Sequence, residues 1–538
     1  MSKGLAKSAG IHSSMTLLSR LSGLARDQIY ATHFGAGAAM DAFLVAFRIP
    51  NFMRRISGEG AFSMAFVPVL QAYRDGSSER EVREFIDKVA GTLIAGLLVL
   101  TGLAILLAPL LMRWFAPGFA PDGEQFRLAT ELLRITFPYV LLISLVAMAG
   151  GILNSYGRFA VPALSPLLLN LSLIVAALAV SSRLQVPVRA LAWGVTIAGV
   201  LQLAFHIPSL MRLGLLPKPK WGGSDAGVRA VLRRMGPGIL GSSVSQVNLL
   251  LNTVVATMLA AGSVTWLYYA DRLLEFPLGI FGVAIGTVIL PNLASHYVQA
   301  DHKGYSRSLD WGFRLCLLIG VPACIGLALC AKPVVATLFH YGRFNATDLE
   351  MTSRSIIAQA LAIPAFLLVK VLAPAFYARQ DARTPLRAAL YSLLANALFV
   401  CAGIAIWMLA TEAGREALQT HQHHWLAAAG STPGVHVVLS LAIATAAWVN
   451  ALVLGAALHR HQLFEPQGGW LRFLVKIAVA ATLMAAVVWS LGARWTDWST
   501  WHFGSRIWHL GLMIGAGVAT YGLTLLAMGL RARDFKGH

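Results

Sequence analysis

The 538-residue sequence carries 43 Lys and Arg against 24 Asp and Glu, a formal net charge of +19, yet only 12% of it is charged and 57% is apolar, with a mean hydropathy of +0.66. Soluble chains are roughly a quarter charged, so a water-soluble globular enzyme is excluded and lipid must solvate much of the surface. The basic excess does not indicate nucleic acid, because no basic soluble segment exists to carry it and loop Lys and Arg serve to fix membrane topology.

Apolar runs of about 20 residues, each able to cross a hydrocarbon layer of about 30 Å as a helix, recur along the chain. They predict an all-α membrane protein of fourteen spans, near 10–31, 38–70, 88–112, 130–155, 160–181, 190–211, 232–260, 264–298, 310–331, 353–378, 386–410, 435–458, 471–492 and 506–529. The first run has the Lys3 and Lys7 of a signal peptide, but Arg20, Arg26 and Asp27 interrupt it, so it reads as a retained helix. The longest loops are expected around 71–87, 212–231 and 411–434, and none is large enough for a catalytic domain.

Loop charge predicts orientation. Twenty-four basic residues, among them Arg74, Arg80, Arg83, Lys218, Lys220 and Arg379, fall on the side of the N-terminus, against ten on the other, including Arg113, Arg183 and Lys332. Both termini are therefore expected in the cytoplasm. The chain also resembles itself at an offset of about 225 residues. Gly10-Ile11 and Ser13-Ser14 match Gly238-Ile239 and Ser242-Ser243, Ala36-Gly37 matches Ala261-Gly262, and Phe137-Pro138 matches Ile363-Pro364. Two parallel six-helix lobes around a central cavity follow as the expected fold, at 1–225 (spans 1–6) and 226–462 (spans 7–12), with two additional helices in 463–538 outside the repeat. Pro50, Pro138, Pro277, Pro322, Pro364 and Pro374 fall inside spans. Each favours a kink, serving static packing or a hinge.

Charge within the spans is the main functional signal. The first span has Arg20, Arg26 and Asp27; the second has Asp41, Arg48, Arg54, Arg55 and Glu59; the eighth has Asp271, Arg272 and Glu275; the tenth has Lys370. A central charge facing lipid costs about 2.5–3.5 kcal/mol even on the lenient insertion scale, so these side chains must face water or one another. Ion pairing is the simple account of the adjacent pairs Arg26–Asp27 and Asp271–Arg272. As a set, seven basic residues face five acidic ones. Surplus buried cation calls for an anion, and the planar donor fork of arginine suits phosphate. The seventh span adds Ser242, Ser245, Gln246, Asn248 and Asn252, which serve helix packing or cavity lining equally well. His421, His423 and His424 lie in an outer loop with no fixed carboxylate or cysteine beside them, and Cys316, Cys324, Cys330 and Cys401 lie in apolar runs without metal-site spacing. No metal and no cofactor are expected.

These charged segments resemble a known family. Ser14-Met15-Thr16, Ser19-Arg20, Gly23-Leu24-Ala25-Arg26-Asp27, Phe34-Gly35-Ala36-Gly37, Asp41-Ala42-Phe43, Pro50-Asn51, Arg54-Arg55 and Glu59-Gly60-Ala61-Phe62 are similar to the MurJ (MviN) family, the lipid II flippases of bacterial peptidoglycan synthesis. So are Tyr268-Tyr269-Ala270-Asp271-Arg272 with Glu275-Phe276-Pro277, and Val369-Lys370-Val371-Leu372-Ala373-Pro374 with Phe376-Tyr377 and Arg379-Gln380. The resemblance covers nearly the whole chain. It implies membership of the multidrug/oligosaccharidyl-lipid/polysaccharide exporter superfamily, and a fold of two six-helix lobes plus two helices that form a groove for a polyprenyl tail. It implies substrate-binding roles for Arg20, Arg26, Arg54, Arg272 and Asp41. Asp27, Arg48, Arg55, Glu59, Asp271, Glu275 and Lys370 are expected to line the cavity or pair within it. The implied cargo is lipid II, an undecaprenyl-pyrophosphate-linked disaccharide pentapeptide. Membrane lipids and cell-wall synthesis proteins are further expected partners, and the bacterial inner membrane is the expected location.

One rival function is a transporter of the same fold with another cargo, such as an O-antigen-type lipid or a drug; a cationic-drug exporter would want an acidic cavity, and this sequence has the reverse. A polyprenyl-phosphate glycosyltransferase would need a sizeable acidic extramembrane loop, which is absent from the sequence. A scaffold for cell-wall enzymes would not need a wet, charged interior.

Overall fold

In the computed structural model the described residues are 3–54, 62–422 and 424–530, with side chains described from residue 18 onward except at 236–245, 283, 284 and 287. Among them there are helices and turns and no strand. The chain divides into two compact units, Met1–Val264 and Thr265–His538.

The first unit holds α1 (Lys3–Phe34), α2 (Ala38–Arg54), α3 (Phe62–Gly76), α4 (Glu79–Leu106), α5 (Ala108–Phe115), α6 (Glu124–Thr136), α7 (Tyr139–Ser155), α8 (Ala160–Val175), α9 (Arg189–Arg212) and α10 (Ala226–Thr257). Phe62, Phe66, Leu70, Phe85, Ile86, Met148, Ile152 and Leu153 form a core shared by α3, α4 and α7. The second unit holds α11 (Ser263–Pro277), α12 (Val283–Val298), α13 (His302–Leu329), α14 (Ala331–Leu338), α15 (Ala346–Ala360), α16 (Ile363–Tyr377), α17 (Arg383–Ala410), α18 (Glu412–Thr420), α19 (Trp425–Ser431), α20 (His436–Arg460), α21 (Trp470–Arg494) and α22 (Phe503–Ala527). Its core gathers Leu309, Phe313 and Cys316 of α13, Leu367, Val371 and Phe376 of α16, and Leu454 and Leu458 of α20.

Among the described residues nine helices, or continuous helical stretches, are long and apolar enough to cross a membrane, and α15 with α16 makes a tenth span broken by a 40° bend. Within the expected spans, the charged pairs and clusters lie on α1, α2 and α11, and α10 carries Gln246, Asn248 and Asn252.

Three of the six prolines expected inside spans coincide with a break. Pro138 separates α6 from α7, Pro277 closes α11 before a π turn at Leu278–Gly282, and Pro364 is the second residue of α16. Pro50, Pro322 and Pro374 lie within continuous helix instead. The loop expected over 71–87 is mostly helix. A capping box between Ser78 and Glu81 starts α4 immediately after α3, and Tyr73 stacks on Phe85 at 4.4 Å across the turn. The outer loop at 411–434 contains the short helices α18 and α19.

Loops on the more basic side are pinned by carboxylates. Buried Asp87 of α4 accepts the Lys218 amide at 2.7 Å, its backbone carbonyl accepts the Lys220 amide at 3.0 Å, and Thr92 Oγ1 accepts the Gly222 amide at 3.2 Å. The segment from 218 to 222 thereby lies so close along α4 that a Cβ on Gly91 would overlap the Lys220 carbonyl. Asp225 then caps α10 and pairs with Lys88 at 3.0 Å.

The last two helices are fastened to the second unit by charged groups near their starts. Asp310 of α13, 3% exposed, accepts the Trp470 indole N–H at 2.7 Å, the Gln467 amide at 3.1 Å and Arg314 Nε at 2.6 Å. Arg314 in turn stacks over Trp470 and donates to the Gly468 carbonyl at 3.0 Å. At the start of α22, buried Arg506 donates to the carbonyls of Ala336, His340, Ser499 and Trp501 and lies over the Tyr341 ring at 4.8 Å. Carbonyl oxygens around the end of α14 thus take the place of a carboxylate as its partner.

One cap gives a signed pH prediction. Asp381 accepts the Thr384 hydroxyl at 2.6 Å and the Arg383 and Thr384 amides at 2.9 and 3.1 Å, closing the first turn of α17. The Thr384 hydroxyl, opposed by partial burial and helped by the two amides, holds this carboxyl below its usual value of 3.8. A depressed folded value means the stabilisation is present above pH 3.8 and is lost as pH falls through the lower folded value. Asp381→Ala should cost about 1 kcal/mol near neutral pH. In thermal melts of the detergent-solubilised protein, the gap from the unaltered chain should close on acidification.

Candidate functional site

The charged residues form separate groupings in the two units. In the first, Arg26 and Asp27 are buried on α1 at 5% and 2% exposure. Arg26 donates through Nε at 3.0 Å and Nη2 at 2.6 Å to Asp27 Oδ1, and through Nη1 at 3.0 Å to Asn170 Oδ1 on α8. Asn170 uses its own amide hydrogens on Ser22 Oγ at 2.8 Å and the Ser19 carbonyl at 3.1 Å. Tyr30, one turn on, places its ring 5.5 Å from the guanidinium. These contacts follow from spacing: Ser19, Ser22 and Arg26 share the α1 face that packs on α8. In this state Arg26 fastens two helices, as the simple pairing account expected.

Arg20 is different. It sits on the same helix and is exposed, so its guanidinium is presented outward. Asp41, 2% exposed near the start of α2, accepts the Gly262 amide at 2.6 Å and so holds the turn between α10 and α11. Gly262 has a φ of +97°, a left-handed conformation that favours glycine at the point of contact. Arg48 and Arg54 are half-buried on α2, and Arg54 Nε donates to Asn51 Oδ1 at 3.0 Å. Arg55 and Glu59 lie outside the described residues.

In the second unit, α11 carries the sequence Tyr268-Tyr269-Ala270-Asp271-Arg272. Tyr269 is fully buried against Phe339 and Phe344, which fixes the rotation of the helix. Asp271 is half-buried and accepts Gln359 Nε2 at 3.0 Å. Arg272 donates to Tyr268 Oη at 3.3 Å and Glu275 Oε2 at 3.1 Å, with Tyr268 beneath it at 5.2 Å. Its side chain is 34% exposed and that of Glu275 is 56% exposed. Lys370 of α16 is exposed.

Asn170, Gln359 and, beyond its place in the Pro50-Asn51 motif, Asn51 were not singled out from the sequence, yet they hold Arg26, Asp271 and Arg54. Their signal was available for two of them: Asn170 stands alone in the apolar run Leu167–Leu171, and Gln359 in Ile356–Ala362. A lone amide in such a run needs a partner. Chemically, Arg20, Arg272 and Lys370 present cationic donors at the surface, whereas Arg26 is an internal strut.

The stability of that strut is testable. Asp27→Ala leaves a buried guanidinium without its carboxylate and should cost about 3–5 kcal/mol. The double variant Arg26→Met, Asp27→Leu should recover most of the loss in thermal melts, since it removes the charge along with its partner. A double variant as unstable as Asp27→Ala would contradict the pairing.

Against known proteins, a family model described as lipid II flippase MurJ matches residues 30–414. A probable lipid II flippase MurJ of Vibrio cholerae is 39% identical, covering 100% of this chain and 98% of that protein. One of Haemophilus influenzae is 40% identical over 96% and 98% of the respective chains. Among solved structures, a lipid II flippase MurJ in an inward closed conformation superposes with a TM-score of 0.77 at 25% identity, covering 97% of this chain and 99% of that one. An inward-facing multidrug resistance MATE family transporter of the MOP superfamily shares the fold, with a TM-score of 0.64 at 16% identity over 85% of this chain.

Proposed function

We infer the function from one premise: the chain belongs to the MurJ family of lipid II flippases. It is a transporter and not an enzyme, and it moves lipid II across the inner membrane by alternating access. The observation that carries this is similarity to flippases along the full length of both chains, at 39% identity with the V. cholerae protein. The charge pattern supports it: Arg20, Arg26, Arg48, Arg54 and Arg272 stand on helices within the expected spans, α1, α2 and α11.

Finer features belong to the same proposal. The chain crosses the membrane fourteen times with both termini in the cytoplasm, a count supported by the apolar runs and an orientation supported by the loop-charge asymmetry. Residues 1–225 and 226–462 form the two six-span lobes, and 463–538 supplies two helices whose groove holds the polyprenyl tail. Outward-facing apolar side chains on those helices, such as Leu471, Trp489, Val518 and Leu523, suit that role. Lipid II is the substrate, and its pyrophosphate is bound by Arg20, Arg26, Arg54 and Arg272, with Asp41 in support. Arg20 and Arg272 are the accessible members, able to form charge-assisted bonds to phosphate at small cost to the fold. Asp27, Arg48, Arg55, Glu59, Asp271, Glu275 and Lys370 keep the charged helices compatible with the membrane. A membrane potential would act on surplus positive charge by about 2.3 kcal/mol per charge per 100 mV fully traversed.

The test is the double variant Arg20→Ala, Arg272→Ala, which spares the buried strut. Each lost phosphate contact is worth about 1.5–3 kcal/mol, so translocation should fall at least ~tenfold per arginine while the protein accumulates normally in the membrane. Lipid II exposure to a membrane-impermeant probe measures it. Lysine at both positions should recover part of the rate. Unchanged flipping by the alanine double variant would exclude these arginines from pyrophosphate binding.

A further inference from the structure

One face of α15 is polar along its whole length although it is buried. Asp348, Thr352, Ser355 and Gln359 recur at spacings of four, three and four, the repeat of a single helix face, and none is more than 2% exposed. His436 and Ser440, four apart on α20, are likewise at most 1% exposed, and α20 packs on α15. The two ends of the stripe are tied to α11. At one end Trp266 Nε1 donates to Asp348 Oδ1 at 2.9 Å, and the Trp266 ring lies 4.8 Å from that of His436. At the other, Gln359 Nε2 donates to Asp271 Oδ1 at 3.0 Å, immediately before the 40° break between α15 and α16.

Between these ties the polar atoms lack protein partners. Thr352 Oγ1, Ser355 Oγ, Gln359 Oε1, Ser440 Oγ and His436 Nδ1 are buried without a hydrogen bond among the described residues. The hydroxyls have an obvious alternative, because serine and threonine in buried helices ordinarily bond back to the carbonyl one turn earlier. Ser353, on the adjoining face of α15, does so to Leu349 at 2.6 Å. Thr352, Ser355 and Ser440 do not. Gln359 must turn its N–H toward the acceptor-only carboxylate of Asp271, which leaves its carbonyl oxygen directed elsewhere. Five such groups inside one helical unit are too costly to leave dry, and donors and acceptors on facing helices are the lining that buried water requires.

We propose that a file of ordered water molecules occupies this seam within the second unit, running about 16 Å along α15 from Asp348 to Asp271. The water completes the hydrogen bonding of Thr352, Ser355, Gln359, Ser440 and His436. It also gives the carboxylate at the helix break a solvated connection to the one at the helix start, independently of which cargo the protein carries.

Two measurements test this. In hydroxyl-radical footprinting of the unaltered protein in membranes, where radicals form from water in place, Trp266 and His436 should be oxidised despite 5% and 1% exposure, whereas Phe376 at 1% and Met408 at 0% should be spared. In a background with Cys316, Cys324, Cys330 and Cys401 replaced by alanine, the near-isosteric variants Ser355→Cys and Thr352→Cys should react with a small hydrophilic thiol reagent at least ~tenfold faster than Ala365→Cys, because hydration favours the reactive thiolate. Rates within ~twofold of Ala365→Cys, together with Trp266 and His436 oxidised no more than Phe376, would overturn the proposal. Should a cysteine variant fail to fold, the footprint of the unaltered chain decides alone.

Discussion

A charged side chain at membrane depth must find a counter-charge, a hydrogen-bond partner or water, because lipid supplies none of them. Among the described residues, individual arginines meet that requirement in different ways. Arg26 finds a carboxylate and an amide inside the first unit. Arg506 finds carbonyl oxygens and an aromatic face. Arg20 and Lys370 are exposed, and Arg272, partly exposed, pairs with Glu275. Arginines that look alike in sequence thus differ in burial and in what holds them.

The same constraint shapes the backbone. Long apolar helices, α4, α9, α13, α17 and α20–α22 among them, form the scaffold, and the charges they carry, such as Asp310 and Arg314 on α13 and Arg506 on α22, find partners as well. A broken helix is tolerated at membrane depth where neighbours or water satisfy its freed groups, and the α15–α16 break lies beside Gln359 and Asp271. Asp310 and Arg314 fasten α21, and Arg506 fastens α22, so two helices outside the internal repeat are still joined to the second unit by specific polar contacts.

Much of this was legible beforehand. Length and hydropathy decide that apolar runs become helices, and each expected spanning segment is helical among the described residues. The adjacency of Arg26 and Asp27 announced an ion pair, and a pair formed. Proline positions were a weaker guide. Pro138, Pro277 and Pro364 mark breaks whereas Pro50, Pro322 and Pro374 do not, because packing of neighbouring helices decides whether a lost hydrogen bond becomes a bend. The partners of the charges were the least legible part. Asn170 lies 144 residues from Arg26, and Gln359 lies 88 from Asp271, so no local pattern connects them. The segment 71–87 reads as a loop in sequence, while the capping box that makes Ser78 a helix start spans only four residues.

The central claim is that this chain carries a lipid-linked pyrophosphate precursor of the cell wall outward. Depleting the protein from growing cells and identifying the polyprenyl-linked intermediate that accumulates at the cytoplasmic face tests it most directly. The expected result is accumulation of lipid II with its complete disaccharide pentapeptide. Accumulation of a different lipid-linked saccharide, with lipid II still reaching the outer face at its normal rate, would contradict the account.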